Sequence, residues 1–258
     1  MPHLRERAIA ILAGCLVPAV ALLALEIAAR SGAVNPTFLP PPSAILDSLR
    51  DVVLSGKFAL PLGQTLLLLF IGYGIGAFAA ICLGVLMGSS RAIYNLLEPL
   101  IELLRPLPKP ALLPSLILFL GLGAKMEVTI VALGCFFPVL INTLQGVRAV
   151  EPTMINTART FGHGTVAIWR RILLPASAPY ILAGMRISLG LGLILVVTAE
   201  MISGTGGLGD AILTSQRSFL VKESYAWLVI LAVLGLLLTW LFTRLEQRLA
   251  FWSGPQAR

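Results

Sequence analysis

Residues 65–87 read TLLLLFIGYGIGAFAAICLGVLM, an apolar run without one charged side chain. In an α-helix, about 20 such residues cross the ~30 Å hydrocarbon core of a bilayer. The same window finds spans at residues 9–29, 128–144, 181–199 and 226–242, and an interrupted one at 96–120. The whole 258-residue chain agrees, with 57% hydrophobic and 12% charged residues and a mean hydropathy of +0.92. Soluble domains average about 45–50% apolar and about 25% charged. That class is therefore excluded, and the chain reads as one all-α integral membrane domain over residues 1–258 with six transmembrane helices.

Working outward, the interrupted span differs from the others. Arg105-Pro106-Leu107-Pro108-Lys109-Pro110 removes backbone donors and sets two cations at membrane depth. A helix broken there survives where protein or water satisfies the freed carbonyls, which predicts a position at an interior cavity rather than on the lipid face. Two other spans carry small residues at fourth positions: Gly72, Gly76, Ala80, Gly84 and Gly88 in one, Gly184, Ser188 and Gly192 in the other. In lipid, where packing drives association, such stripes predict close backbone approach. Outside the spans, Pro36 and Pro40 to Pro42 stiffen the chain, and the spacing of Ile45, Leu46, Leu49, Val52 and Val53 predicts a short amphipathic helix over 44–54.

Arg5 and Arg7 followed by an apolar stretch mimic a signal peptide, but the stretch runs to Ala29, beyond the roughly 7–15 residues of such a core. It reads as an uncleaved membrane helix. The net charge of +7 is spread between apolar blocks, without a basic patch interleaved with aromatics, which argues against nucleic-acid binding. Loops holding Arg91, Arg148, Arg159, Arg170, Arg171, Arg244 and Arg248, together with Arg5, Arg7 and Arg258, outweigh those holding Arg30, Arg50, Lys57, Lys125, Arg217 and Lys222. The positive-inside rule then places both termini of this multi-pass chain in the cytoplasm. Cys15, Cys82 and Cys135 lack CxxC spacing, and His3 and His163 are isolated, so no disulfide, metal or other cofactor is expected in this chain.

The longest cytoplasmic connection spans residues 145–178. Glu151-Pro152-Thr153 suits a helix start, and Met154, Ile155, Ala158 and Phe161 then share an apolar face. Gly162-His163-Gly164 predicts a tight turn, Thr165 a cap for a second helix, and Val166, Trp169, Ile172 and Leu173 its apolar stripe, ending at Pro175. From Asn156 this helix-turn-helix, residues 151–175, reads N-T-A-x-x-x-G-x9-I-x-L-P. Through Ala158, Gly162, Ile172, Leu174 and Pro175 it resembles the E-A-A-x-x-x-G-x9-I-x-L-P loop of ABC importer permeases, with Asn156 and Thr157 departing from the pattern. The resemblance extends to Phe38-Leu39-Pro40-Pro41-Pro42, Ala111-Leu112-Leu113-Pro114, Gly121-Leu122-Gly123, Phe136-Phe137-Pro138, Ala199-Glu200-Met201 and Gly207-Leu208-Gly209, which look like the nitrate/sulfonate/taurine branch.

That resemblance implies a type I ABC importer permease-like fold in the bacterial inner membrane. It implies a homodimer served by an ABC ATP-binding subunit dimer, which holds ATP and Mg, and by a periplasmic or lipid-anchored solute-binding protein. The segment holding Asn156, Thr157, Ala158, Arg159, Gly162, Ile172, Leu174 and Pro175 would couple to the ATPase. The chain contains no G-x-x-x-x-G-K-S/T, so it cradles no ATP by a P-loop. It is read as a transport subunit carrying a small anion, not as an enzyme.

Ionisable residues at membrane depth are site candidates by default. Arg105 and Lys109 either line an anion path or pair with Glu98 and Glu102. Glu200 is either a gate residue or a solvated interfacial carboxylate, and Glu26 reads as interfacial. Gly204, Gly206 and Gly209 form a nominal G-x-G-x-x-G, but a membrane helix precedes them where a dinucleotide site needs a strand. They read as a mobile outer loop facing the binding protein. An intramembrane enzyme would need a nucleophile and base beside Glu98 and Glu102, and none accompanies them. An ion-gradient-driven transporter or channel, with the broken helix as its ion site, is the alternative left standing.

Overall fold

A computed structural model describes residues 2–249, with side chains from residue 16 onward. All regular elements among these residues are helical. They gather into two groups, one holding the chain up to Ala59 with Ala211–Leu231, the other Leu60–Asp210 with the chain from Ala232 on.

In the first group, α1 (Pro2–Arg30) contains the expected span 9–29. Its side chains before Leu16 lie outside the described residues, as do those of Arg5, Arg7 and Arg258, on which part of the orientation argument rests. The amphipathic helix α2 occupies Pro42–Leu54, two residues longer than the spacing predicts, because Pro42 is tolerated in a first turn where its missing donor costs nothing. Pro41 offers no capping side chain. Glu26 of α1 supplies the acceptor instead, taking Ser43 N at 3.0 Å on Oε2 and Ser43 Oγ at 2.8 Å on Oε1. Arg30 Nε donates to Oε1 at 2.5 Å. The expected interfacial carboxylate is thus a clamp joining two helices.

In the second group, α3 (Ala59–Ser89) is followed by α4 (Arg91–Leu104), a 3-10 turn at Lys109–Leu112, and α5 (Leu113–Leu120). Ser90 caps α4, its Oγ accepting from Ile93 N at 3.4 Å. The expected break is present as an 88° bend between Arg91–Leu104 and Lys109–Leu120. Its covering differs from the expectation, since residues 102–108 are exposed on this chain.

Next come α6 (Ala124–Arg148), α7 (Pro152–Thr160), α8 (Thr165–Ile168), a π turn at Trp169–Leu173 and α9 (Leu174–Ser203). The last described elements are α10 (Leu208–Arg217) and α11 (Val221–Leu249). Among the described residues, four helices are long and apolar enough to cross a membrane: Ala59–Ser89, Ala124–Arg148, Thr165–Ser203 and Val221–Leu249. The bent pair counts as a fifth if it is one span.

Both small-residue stripes face α6. A Cβ on Gly72 would sit 2.7 Å from the Val128 carbonyl oxygen, and one on Gly76 would run into the Ala132 backbone. Gly84 and Gly88 meet Thr143 and Val147 in the same way, and a Cβ on Gly184 of α9 would fall 2.9 Å from the Pro138 carbonyl. Polar threads reinforce the packing: Tyr73 OH donates to Met185 O at 3.0 Å and Cys135 Sγ to Ser188 O at 3.3 Å.

We expect Gly76→Ala to destabilise the chain by about 1–3 kcal/mol, the usual cost of overpacking a contact that cannot yield. Gly74→Ala, which meets nothing within 4 Å, should be neutral. Thermal unfolding of the two variants in one detergent separates them.

Candidate functional site

The loop residues fold into a hairpin with two distinct faces. Ala158, buried, packs with Val85, Val147, Val150, Ile168 and Leu173, flanked by Ile155, Trp169, Ile172 and Leu174. Met154, Phe161 and Val166, expected on the apolar stripes, are exposed at 49%, 78% and 66%. The apolar character of the hairpin therefore divides, one part rooted in the bundle and one part bare. Asn156, Thr157, Arg159 and Pro175 are exposed as well.

Gly162 makes the turn. Its φ of 77° lies in the left-handed region, Gly162 N donates to Arg159 O at 2.9 Å and His163 N to Ala158 O at 3.1 Å. Those two bonds are the paired closure of a Schellman motif, which satisfies the last carbonyls of α7. Two details differ from the sequence reading. Gly164, not Thr165, occupies the cap of the second helix. Pro175 does not end that helix, because Thr165–Ser203 runs on as a single element. The π turn at Trp169–Leu173 resets the hydrogen-bond register, so that Pro175 falls in the first turn of the regular segment, where no donor is required.

At the bend, both candidate cations have partners within the chain. Arg105 Nη1 lies 3.4 Å from Glu102 Oε1, with both side chains about half exposed. Lys109 Nζ donates to Leu104 O at 3.0 Å and Arg105 O at 3.5 Å, and sits 4.1 Å above the Phe137 ring. The ammonium thus closes the open carbonyl end of α4, where the helix dipole favours positive charge.

Glu200 is fully buried rather than solvated. Its Oε1 accepts from Thr65 Oγ1 at 2.7 Å and its Oε2 from Gly209 N at 2.9 Å, while Leu208 N donates to Thr65 Oγ1 at 2.9 Å. Gly204 ends α9 in the left-handed conformation at φ 66°. A side chain on Gly207 would collide with the Glu200 carboxyl. The glycine loop is therefore clasped onto α3 and α9, not a loose segment.

Three residues escape the sequence reading. Glu127, one position before the expected 128–144 span, is fully buried. Arg186 lies inside the 181–199 span and pairs with Glu246 of α11. An arginine within an apolar span is itself the signal that could have found that pair, although its partner is far away in sequence.

Comparison with known proteins decides the family. The description "binding-protein-dependent transport system inner membrane component" fits residues 72–251. The chain belongs to this family. The permease is 31% identical, over 93% of its length and 87% of the relative's, to the putative aliphatic sulfonates transport permease protein SsuC of Bacillus subtilis strain 168. It is 32% identical to the taurine transport system permease protein TauC of Escherichia coli strain K12, over 86% and 82% of the two chains. Its fold matches the inward-facing MetNI methionine ABC transporter with a TM-score of 0.62 at 20% identity, covering 72% of this chain and 93% of that one. The permease is a transport subunit of an ABC importer, a multi-pass membrane protein and not an enzyme, and its family works with an ATPase and a binding protein.

Thr65→Val keeps the shape of the clasp but leaves Glu200 Oε1 and Leu208 N without a partner. Each unsatisfied buried group costs about 1–3 kcal/mol. The unfolding midpoint of the variant should fall, and protease should cut residues 204–209 faster than in the parent chain.

Proposed function

We propose that two copies of this permease enclose a path for a small anion of the sulfonate, taurine or nitrate kind. ATP and Mg are held by a separate pair of ATP-binding subunits, and the solute arrives on a periplasmic or lipid-anchored binding protein. Both termini and the hairpin lie on the cytoplasmic side of the bacterial inner membrane.

The observation that supports the reading is the bare apolar tip of the hairpin, whose turn two backbone hydrogen bonds close. Met154, Phe161 and Val166 are exposed on the hairpin that turns at Gly162, and exposed large apolar side chains gathered on one short segment are what a docking face presents. In this reading Asn156, Thr157 and Arg159 meet the ATPase, Ala158, Ile172 and Leu174 root the tip, and Gly162 and Pro175 shape it. Because Thr165–Ser203 is one continuous helix, with a π turn at Trp169–Leu173 near its start, movement of the tip has a direct path into the membrane. Coupling is then a link between nucleotide state and the state of the path.

The exposed bend supports the second copy. Polar backbone at membrane depth is tolerated where protein covers it or water reaches it, and residues 102–108 are left exposed by the described residues of one chain. A partner copy placed there brings Arg105 and Lys109 beside the path, where their charges favour an anion. Glu200 acts through the loop that it clasps.

The test is Gly162→Val. A β-branched residue at positive φ costs about 1–2 kcal/mol or more and should reshape the tip without removing the spans. We expect ATP-dependent uptake of alkanesulfonate to fall to background at normal membrane expression. Undiminished uptake by the variant would overturn the coupling role, and parent uptake that persists after ATP depletion would favour a gradient-driven carrier.

A further inference from the structure

We propose that the carboxylate of Glu127, with the hydroxyls of Ser203 and Thr205, binds a monovalent cation at the C-terminal end of α9. Glu127 is fully buried. Its Oε1 accepts from Ser203 Oγ and, at 2.5 Å, from Thr205 Oγ1, while its Oε2 has no hydrogen-bond partner. A second buried acceptor without a donor, Gln64 Oε1, lies against Gly206 of the same loop, 2.8 Å from where a side chain on that glycine would begin. Both unsatisfied atoms are acceptors, so the place lacks a donor or a cation.

The surroundings deepen that deficit. Glu200 is fully buried as well, and its own oxygens are already occupied by Thr65 and Gly209. A buried carboxylate is stable when it is paired or coordinates an ion, and no described lysine or arginine forms an ion pair with Glu127 within 4.0 Å. The C-terminus of α9 adds the negative end of a helix dipole, which favours a cation. Helix C-terminal ends and unwound backbone are recurrent sites for small cations in membrane transporters.

The donor set fixes the charge of the ion. Among the described residues no group of three His, Cys, Asp or Glu side chains converges on a common point, so a divalent or transition-metal site is not built here. One free carboxylate oxygen with neutral hydroxyl oxygens suits a single positive charge. Thr205 is exposed, which gives the ion a short way in. Once bound, the ion would tie the N-terminal turn of α6 to the loop after α9, next to the Glu200 clasp.

The experiment uses the full-length chain in phosphatidylcholine nanodiscs, unfolded by heat in sodium, potassium or choline chloride of equal ionic strength. Binding to the folded state alone raises the midpoint as ligand is added. We expect sodium to raise it by several degrees over choline, with the shift absent in Glu127→Gln and reduced in Thr205→Val. The second variant keeps the carboxylate and serves if the first does not fold. Equal midpoints of the parent chain in all three salts would overturn the proposal. So would a midpoint that follows pH but not the cation, which would assign a proton to Glu127 instead.

Discussion

The close approach of α3 and α9 to α6 is the constraint on which the rest depends. In water, apolar side chains would draw these helices together, but lipid tails are as apolar as leucine, so that force is missing within the bilayer. Contact area and hydrogen bonds must replace it. Glycines at 72, 76, 84 and 88 of α3 and at 184 of α9 let backbone and short side chains meet where a single methyl group would collide. With those surfaces in contact, Tyr73 reaches the Met185 carbonyl and Cys135 the Ser188 carbonyl. A looser bundle would hold neither, nor would it bring Thr65 of α3 to Glu200 of α9.

At three helix ends in and beside the membrane segments, a side chain from elsewhere in the chain answers an open backbone group. Glu26 caps α2 in place of Pro41, and Lys109 closes α4 across the proline break. Glu200 receives Gly209 N near the start of α10. The prolines that look destructive on paper are tolerated because these substitutes lie within reach, or, at Pro175, because a wider turn moves the proline to a position that asks for no donor. Lys109 illustrates the chemical consequence: a cation that the sequence leaves between an anion path and a carboxylate partner is bonded to carbonyls and seated on an aromatic ring.

Much of this was legible in the sequence, for identifiable reasons. Apolar length and the four-residue spacing of small side chains are local properties, so the long spans and the packing stripes could be read directly. The hairpin was legible through its glycine turn, since only a few residues accept positive φ. The partners of Glu200 and Arg186 were not, because Thr65 lies 135 positions and Glu246 60 positions away, and no periodicity links them. The burial of hairpin faces was misjudged for a similar reason. Periodicity shows that Met154 and Phe161 share a side with Ala158, but it does not tell which of them the bundle covers. Ala158 sits in the buried cluster with Val85 and Val147 and Ile155 packs against it, while Met154 and Phe161 stay exposed.

The continuity of Thr165–Ser203 has a mechanical corollary. Its 39 residues make a rod about 58 Å long at about 1.5 Å per residue. Rocking such a rod by roughly 5° about its middle carries each end sideways by roughly 2.5 Å. That stroke is comparable to the 2.7 Å and 2.9 Å bonds by which Glu200, three residues from the far tip, grips Thr65 and Gly209. A tilt too slight to disturb the glycine contacts near the pivot is therefore ample to unfasten the clasp. The molecule can stay tightly knit at its centre while its two extremities answer each other like the ends of a balance beam.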